Sequence, residues 1–467
     1  MNTLKKLLLA LTCLSLFTAC NKDDSQDEEL PLRMNQFIQN CLSTFYFWND
    51  QMPNLSPESV NDPNKYFKQL LFKDDKWSLI TDDVDGLMAE LAGTNETYGY
   101  ELAGGQFKDS KQCFAIVLYT YPGSPARKFL DRGDAITQIN WKNITEDDFP
   151  EFDKPGTITL GIAKVQGNTI GPVERIVTLE SKVMDSDPVL VSQFFEKGAH
   201  KIGYLMYTSF TSNFNSSLEK TFNEFKAKGI TDLILDLRYN HGGDDQAAAF
   251  LCSAIAPKDK AVKGALLSKE RWNTACQQVF ENDPQYDELL NRYFIDVNCN
   301  LDLPSKKVYI LTSHETASAS EYTIASLKAF MDVTLVGTRT YGKYFTMYSF
   351  APQYEENGKI VQDKELANWL IFPVCSRFTN INGYPDFSNG LEPDVYVEDD
   401  PFNGIGLGWQ NEPLLAKAIA LISGENPMPM KAQNDIIARG KNTASSFIML
   451  PKTLNDIKDN RVIYMKQ

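Results

Sequence analysis

From about residue 184 onward, short apolar runs of strand length alternate with stretches of helical periodicity, and this alternation limits the fold more than any other feature. Residues 202–210 read as a strand. Ser216 and Glu219 then form a capping-box pattern before a helix whose apolar face holds Leu218, Phe222 and Phe225, with Gly229 closing it. Residues 233–237 form a buried strand, and 308–311 and 333–336 two more, separated by the helix that follows Ser318. Residues 256–304 read as an irregular, partly helical insertion, and 414–422 begin a closing helical region. Strands and helices in this order predict an α/β domain with largely parallel strands, over residues 184–423. Open sheets of that class place their chemistry beyond the carboxyl ends of the strands.

The chain has 467 residues, too many for one ordinary core, so further domains precede this one. Residues 31–92 read as a small helical domain: Met34, Phe37, Ile38, Cys41, Leu42, Phe45 and Trp48 recur at spacings of three and four, and Asp62-Pro63 opens a second helical stretch. From 93 to 183 the texture changes to short β-type runs at 114–119, 135–139, 157–162 and 175–179. Between the first two lie Pro122-Gly123-Ser124-Pro125-Ala126, then Leu130, Gly133 and Asp134. That order resembles a PDZ domain of the bacterial protease type, which implies binding of an extended peptide, commonly a C-terminus, at a sheet edge. Tyr98-Gly99-Tyr100 is then the candidate carboxylate-binding loop. Residues 424–467 form a C-terminal extension.

The first nineteen residues read as a signal peptide: Lys5 and Lys6, an apolar run from Leu7 to Phe17, and the small pair Thr18-Ala19 before Cys20. The run is too short to span a bilayer. Small residues directly before a cysteine resemble a bacterial lipoprotein signal, which implies that Cys20 becomes the lipid-bearing mature N-terminus. Residues 20–30 then read as an acidic tether, similar to the tract that follows the cysteine in Bacteroidetes surface lipoproteins. The expected location is the cell envelope, anchored by lipid to the outer membrane. Of the other cysteines, Cys41 and Cys252 fall in apolar helical patterns and read as core, whereas spacing leaves a Cys276–Cys299 disulfide open. The formal net charge of -15 argues against a nucleic-acid partner. Neither C-x-x-C nor H-e-x-x-H spacing occurs, so no metal site is expected.

Three segments at predicted strand ends carry chemistry. They are Asp236-Leu237-Arg238-Tyr239-Asn240-His241-Gly242-Gly243, Thr316-Ala317-Ser318-Ala319-Ser320-Glu321, and Thr340-Tyr341-Gly342-Lys343. Ser318 sits at a helix N-terminus, where unpaired N–H groups and the helix dipole favour developing negative charge. Ser318 and Glu321 equally fit a simple capping box. The Gly242-Gly243 pair offers unobstructed backbone N–H groups, and Lys343 alone reads as an ordinary lysine.

Taken together and in this order, the three segments resemble the C-terminal processing peptidases, or tail-specific proteases. The resemblance implies a crotonase-like (ClpP/tail-specific protease) catalytic domain. It implies Ser318 as nucleophile and Lys343, 25 positions later, as its general base, with Glu321 as the orienting carboxylate. Gly243 or Gly242, with Ala319, would donate to the oxyanion. Gly390-Leu391-Glu392-Pro393-Asp394 also resembles a family segment, and "FYFWND" and "DKWS" resemble the start of Bacteroidetes members. The chain departs from the pattern at Ala329, where several members have Asp, and at Met347, where many have Gln. A lysine base must be neutral to work, and Tyr341, Tyr344 and Phe345 are expected to favour that form by burying it.

The expected activity is cofactor-free serine endopeptidase action on exported polypeptides, with the PDZ-like module binding substrate or gating access. The alternative is a non-catalytic lipoprotein that binds peptides or other ligands on the same scaffold. His241 and His314 lie close in sequence to the motifs, and His200 completes the histidines. No partner carboxylate is evident for any of them, so a histidine triad is disfavoured.

Overall fold

The computed structural model describes residues 26–425, apart from 109, 167–168, 357–358 and 384–385, together with 447–449. Cys20, the expected signal peptide and the first part of the expected acidic tether lie outside the described residues. No helix among the described residues is long and apolar enough to cross a membrane.

The alternation from 184 onward builds a six-stranded sheet in the order Val189–Lys197, His200–Tyr207, Asp232–Asp236, Lys307–Thr312, Asp332–Gly337 and Val395–Tyr396. The first pair is antiparallel and every later pair is parallel. Its central strands are apolar runs buried on both faces, as parallel strands covered by helices must be. One face carries the helices Asn215–Lys228, Asp245–Ile255 and Ala319–Leu327; the other meets Pro413–Ser423.

The first helix of this half departs from expectation. Asn215–Lys228 has Phe214 at its N-cap with no side-chain cap, because the 3-10 turn Ser212–Phe214 feeds straight into it and puts Ser216 inside. Gly229 closes it in the left-handed conformation, as expected.

The segment expected to be irregular contains strands. Leu266–Trp272 and Asn291–Tyr293 join Val374–Asn380 and Phe345–Met347 in a second, antiparallel sheet. The first of these strands was obscured by Lys269, Glu270 and Arg271, of which Glu270 points inward and accepts hydrogen bonds from Thr346 and Ser376.

The amino-terminal region is helical only in part. Gln26–Phe45 begins inside the expected tether and Pro63–Leu70 is capped by Asp62, but Leu79–Thr81 is a strand paired with Leu370–Phe372. Met34, Ile38, Leu42 and Phe67 share one continuous core with Leu235, Ile324 and Phe372. This region therefore has no core of its own. Residues 94–185 form a separate β-rich layer whose long sheet runs through Tyr100–Phe107, Cys113–Thr120, Ala135–Ile139, Thr157–Gln166 and Thr169–Glu180. Within Cys113–Thr120, Cys113, Ala115 and Val117 fill that layer's core and Phe114 and Ile116 face the other way, while Leu118 and Tyr119, beyond a register shift, cluster with Tyr204 of the six-stranded sheet and Tyr239 that follows its third strand. The six described cysteines, Cys276 and Cys299 included, are buried free thiols.

Candidate active site

The three motif segments meet at the carboxyl ends of Asp232–Asp236 and Lys307–Thr312, stitched together by backbone and side-chain hydrogen bonds. Asn240 does most of the stitching. Its Nδ2 donates to Tyr207 O and its Oδ1 accepts from Gly242 N, both at 2.8 Å, while its carbonyl accepts from Ala317 N at 3.1 Å and Ser320 Oγ at 3.0 Å. Thr316 Oγ1 donates to Leu237 O, and Tyr341 N donates to Thr316 O, which ties the third segment to the second.

Ser318 is the N-cap of Ala319–Leu327 and has φ 58°, ψ −115°. A non-glycine residue rarely adopts positive φ, and such a conformation, costing about 1–3 kcal/mol, persists only where the surroundings enforce it. Gly242 is one such surrounding. Its φ is 110°, and a Cβ there would lie 2.7 Å from Ser318 Cβ and 2.9 Å from Ala319 N, so only glycine permits this approach. Ser318 is fully buried, and its Oγ makes no hydrogen bond among the described residues.

Glu321 is the electrostatic centre. Oε1 accepts from Thr340 Oγ1 at 2.5 Å and Gly342 N at 2.7 Å; Oε2 accepts from Lys343 N at 2.8 Å and Ser318 N at 3.1 Å. A single carboxylate oxygen thus holds the amides of both Ser318 and Lys343. Burial pushes this carboxyl up to about 7, while the bonds from Thr340, Gly342, Lys343 and Ser318 hold it down against that push. Lys343 is buried, and the strand Phe345–Met347 begins two residues later. Phe345 is wedged among Phe47 and Trp48 of "FYFWND" and Trp77 of "DKWS". On the other side, Thr340 exchanges bonds with Leu391, which brings in the Gly390–Asp394 segment.

Gly242 and Gly243 lie beside this centre, but the Gly242 N–H is taken by Asn240. Ala319 occupies the first turn of the helix. Ala329 falls beyond the end of that helix, and Met347 is buried in its strand. Tyr98, Gly99 and Tyr100 belong to the β-rich layer, where Tyr98 sits in that layer's own core. There the Tyr98 and Tyr100 hydroxyls donate to Lys154 O and Phe152 O at 2.8 Å, and Gly99 N donates to Thr97 Oγ1 at 3.0 Å.

The histidines require a correction, because two of them do have carboxylate neighbours. His241 Nδ1 lies 3.4 Å from Glu315, and His200 Nδ1 lies 2.8 Å from Asp232. Both pairs join residues far apart in sequence, so spacing could not reveal them. Sequence reasoning also missed Arg132 of the β-rich layer. Its guanidinium reaches Tyr239 Oη at 2.7 Å and Asp399 at 2.6 Å, next to buried Arg238, which pairs with Asp236, Glu412 and Asp399. Asn240 follows Tyr239 directly, so this charge network abuts the motif. The only signal for Arg132 was its place before Gly133-Asp134. Among the described residues, no cluster of ligating side chains could hold a metal.

Comparison with known proteins places this arrangement. The model of peptidase family S41 matches residues 201–397, which include Ser318 and Lys343, and that of the peptidase S41 N-terminal domain matches 33–79. A carboxyl-terminal-processing protease of Picosynechococcus sp. is 26% identical over 234 residues, covering 49% of this chain and 50% of that protein. Carboxy-terminal processing protease CtpB of Bacillus subtilis is 22% identical over 385 residues, covering 75% of this chain and 68% of its own. The chain spans about half the length of several of the curated relatives it matches. A solved structure of a Bacteroides fragilis protein assigned to the S41 proteases superposes with a TM-score of 0.66 at 25% identity, covering 88% of this chain and 100% of that one. With both family models matching in chain order and the fold shared over most of its length, this chain belongs to peptidase family S41, the C-terminal processing serine peptidases.

Proposed function

We propose that the chain is a serine endopeptidase in which Ser318 and Lys343 form the catalytic pair. The observation that carries this reading is the Glu321 oxygen shared by the Ser318 and Lys343 amides, which fixes the two backbones together around a strained serine. In the reaction, Ser318 Oγ bonds to the scissile carbonyl carbon as its proton passes to neutral Lys343 Nζ. Lys343 then gives that proton to the departing amine, leaving an acyl-enzyme ester that water hydrolyses. Gly243 and Ala319 donate backbone N–H groups to the oxyanion, a role that fits Gly243 better than Gly242 because Asn240 engages the Gly242 amide. Glu321 touches neither substrate nor proton in this scheme and acts as a positioning residue.

Ser318 and Lys343 are 0% and 1% exposed, so a substrate carbonyl reaches the serine only after the site opens. The β-rich layer is a PDZ-like module suited to gate that opening, since Arg132 joins it to Tyr239 beside the motif. The substrates are exported polypeptides. Cys20 carries the lipid that holds the protein at the outer membrane, and a Cys20→Ala variant that stayed fully membrane-bound would refute the anchor.

The His241–Glu315 pair supports a rival in which a histidine activates the serine. Labelling by a fluorophosphonate probe and peptide turnover separate the two. Ser318→Ala should abolish both, and Lys343→Ala should reduce turnover at least a thousandfold with an unchanged melting profile. Lys343→Arg should fail too, because arginine stays protonated. His241→Ala should keep turnover within tenfold, and parent activity should rise with pH as Lys343 loses its proton. An active Lys343→Ala beside an inactive His241→Ala would overturn the Ser/Lys assignment.

A further inference from the structure

The far end of the chain returns to the β-rich layer. Phe447–Met449 lies antiparallel along Tyr100–Phe107, with Phe447 opposite Phe107, Ile448 opposite Gln106 and Met449 opposite Gly105. On its other side, the same strand pairs with Cys113–Thr120. The returning segment therefore adds a further strand at the sheet's edge, and its direction points toward Tyr100 and Gly99. Backbone ladders of this kind recognise extended chain with little regard to side chains.

Two features make the edge a place to receive chain and the resident strand one that can leave. First, the Phe114 ring packs over Gly105, where a Cβ would fall 2.1 Å from it, so opposite Met449 this strand carries no side chain to obstruct an incoming chain. Second, among the described residues the contact is short, with three residues paired on a strand of eight. Each backbone hydrogen bond only replaces one made to water and contributes little net, so few bonds hold a segment only loosely.

The edge also bears on the rest of the molecule. Phe107, opposite Phe447, contacts Phe114 at 5.3 Å between ring centroids, and Phe114 contacts Phe402 at 6.4 Å. Phe402 belongs to the turn Pro401–Asn403, which follows Asp399, the partner of Arg132 and Arg238.

We propose that the Gly105–Phe107 edge is a binding strip for an extended polypeptide, and that residues 447–449 are its resident occupant, which an incoming segment must displace. The strip rests on the reading of this layer as a peptide-binding module, but its test needs no turnover. In the full-length protein, Ile448→Pro/Met449→Pro removes backbone donors from the resident strand whichever of the two faces the ladder. The probe is a fluorescein-labelled peptide with the sequence of residues 444–451, followed by anisotropy. The double variant should bind it at least tenfold more tightly than the parent. Amide hydrogen exchange at Gln106, which faces Ile448, should be faster in the variant alone and slow again when the peptide is added, whereas the Phe107 amide, which donates to Gln112 O, should not change. A thermal melt matching the parent's shows that the variant is folded; if it is not, the same peptide in excess over the parent must slow exchange at the Gln106 amide. Equal affinity for parent and variant overturns the proposal, and so does faster exchange without peptide binding. Absence of proteolysis would leave this result unaffected and would count against Ser318 and Lys343 instead.

Discussion

Every hydrogen bond recorded at the Glu321 side chain is donated to it, two to each oxygen, and two of the donors are the amides of Ser318 and Lys343. Glutamine keeps the size of this side chain but offers one acceptor oxygen, so one pair of donors would face an NH2 group. Glu321→Gln should therefore lower probe labelling and turnover by at least tenfold, although the residue touches no substrate. A sign follows for stability as well. The carboxyl rises from its ordinary 4.5 to about 7 on folding, so its protonated form favours the native state. That contribution is fully present below about pH 4.5 and is lost as the pH rises through about 7, on the order of 3 kcal/mol in all. Parent stability should fall across this window in chemical denaturation, whereas Glu321→Gln should lack that part of the slope. A variant with parent activity and parent slope would remove Glu321 from the site.

At the scale of elements, what could be read from the sequence divides along a physical line. Strands such as Asp232–Asp236 and Lys307–Thr312 are buried on both faces and therefore apolar through their middles, at 233–235 and 308–311, and a pattern of that kind is visible without neighbours. The three motif segments were legible too, because glycines, small residues and a cap mark strand ends. Leu266–Trp272 was not, since its inward Glu270 is satisfied by Thr346 and Ser376 from other strands and looks like a surface residue in isolation. Leu79–Thr81 escaped for a similar reason, as its partner Leu370–Phe372 lies nearly three hundred residues away. The positive φ of Ser318 had no local signal at all. It is imposed by packing against Gly242 and by the Glu321 bond, both of them tertiary. The cap at Ser216 failed in the opposite direction: the local pattern was right, but the preceding 3-10 turn moved the helix start.

For the whole molecule, a buried charge network joins the layers beside their apolar contact. Burial alone would raise the Asp399 carboxyl, but Arg132 from the β-rich layer and Arg238 from the parallel sheet pull it down from 3.8 to about 2. The depressed value means that its contribution is present above about pH 4 and lost as pH falls toward 2, on the order of 2 kcal/mol. Asp399→Asn should remove that acid-sensitive part and leave two buried guanidiniums short of charge, with a melting temperature several degrees below the parent's at neutral pH. An unchanged melt would show that the network does not hold the layers together. A last consequence concerns heat. Ser318 is carried by the parallel sheet, whereas Lys343 leads into a strand of the antiparallel one, so the proposed pair straddles a seam that the Glu321 bonds help to close. Warming that slackens the seam would separate nucleophile from base while both sheets remain intact. The protein should thus behave as its own thermal fuse, with labelling of Ser318 vanishing some degrees before the loss of circular dichroism and returning on cooling.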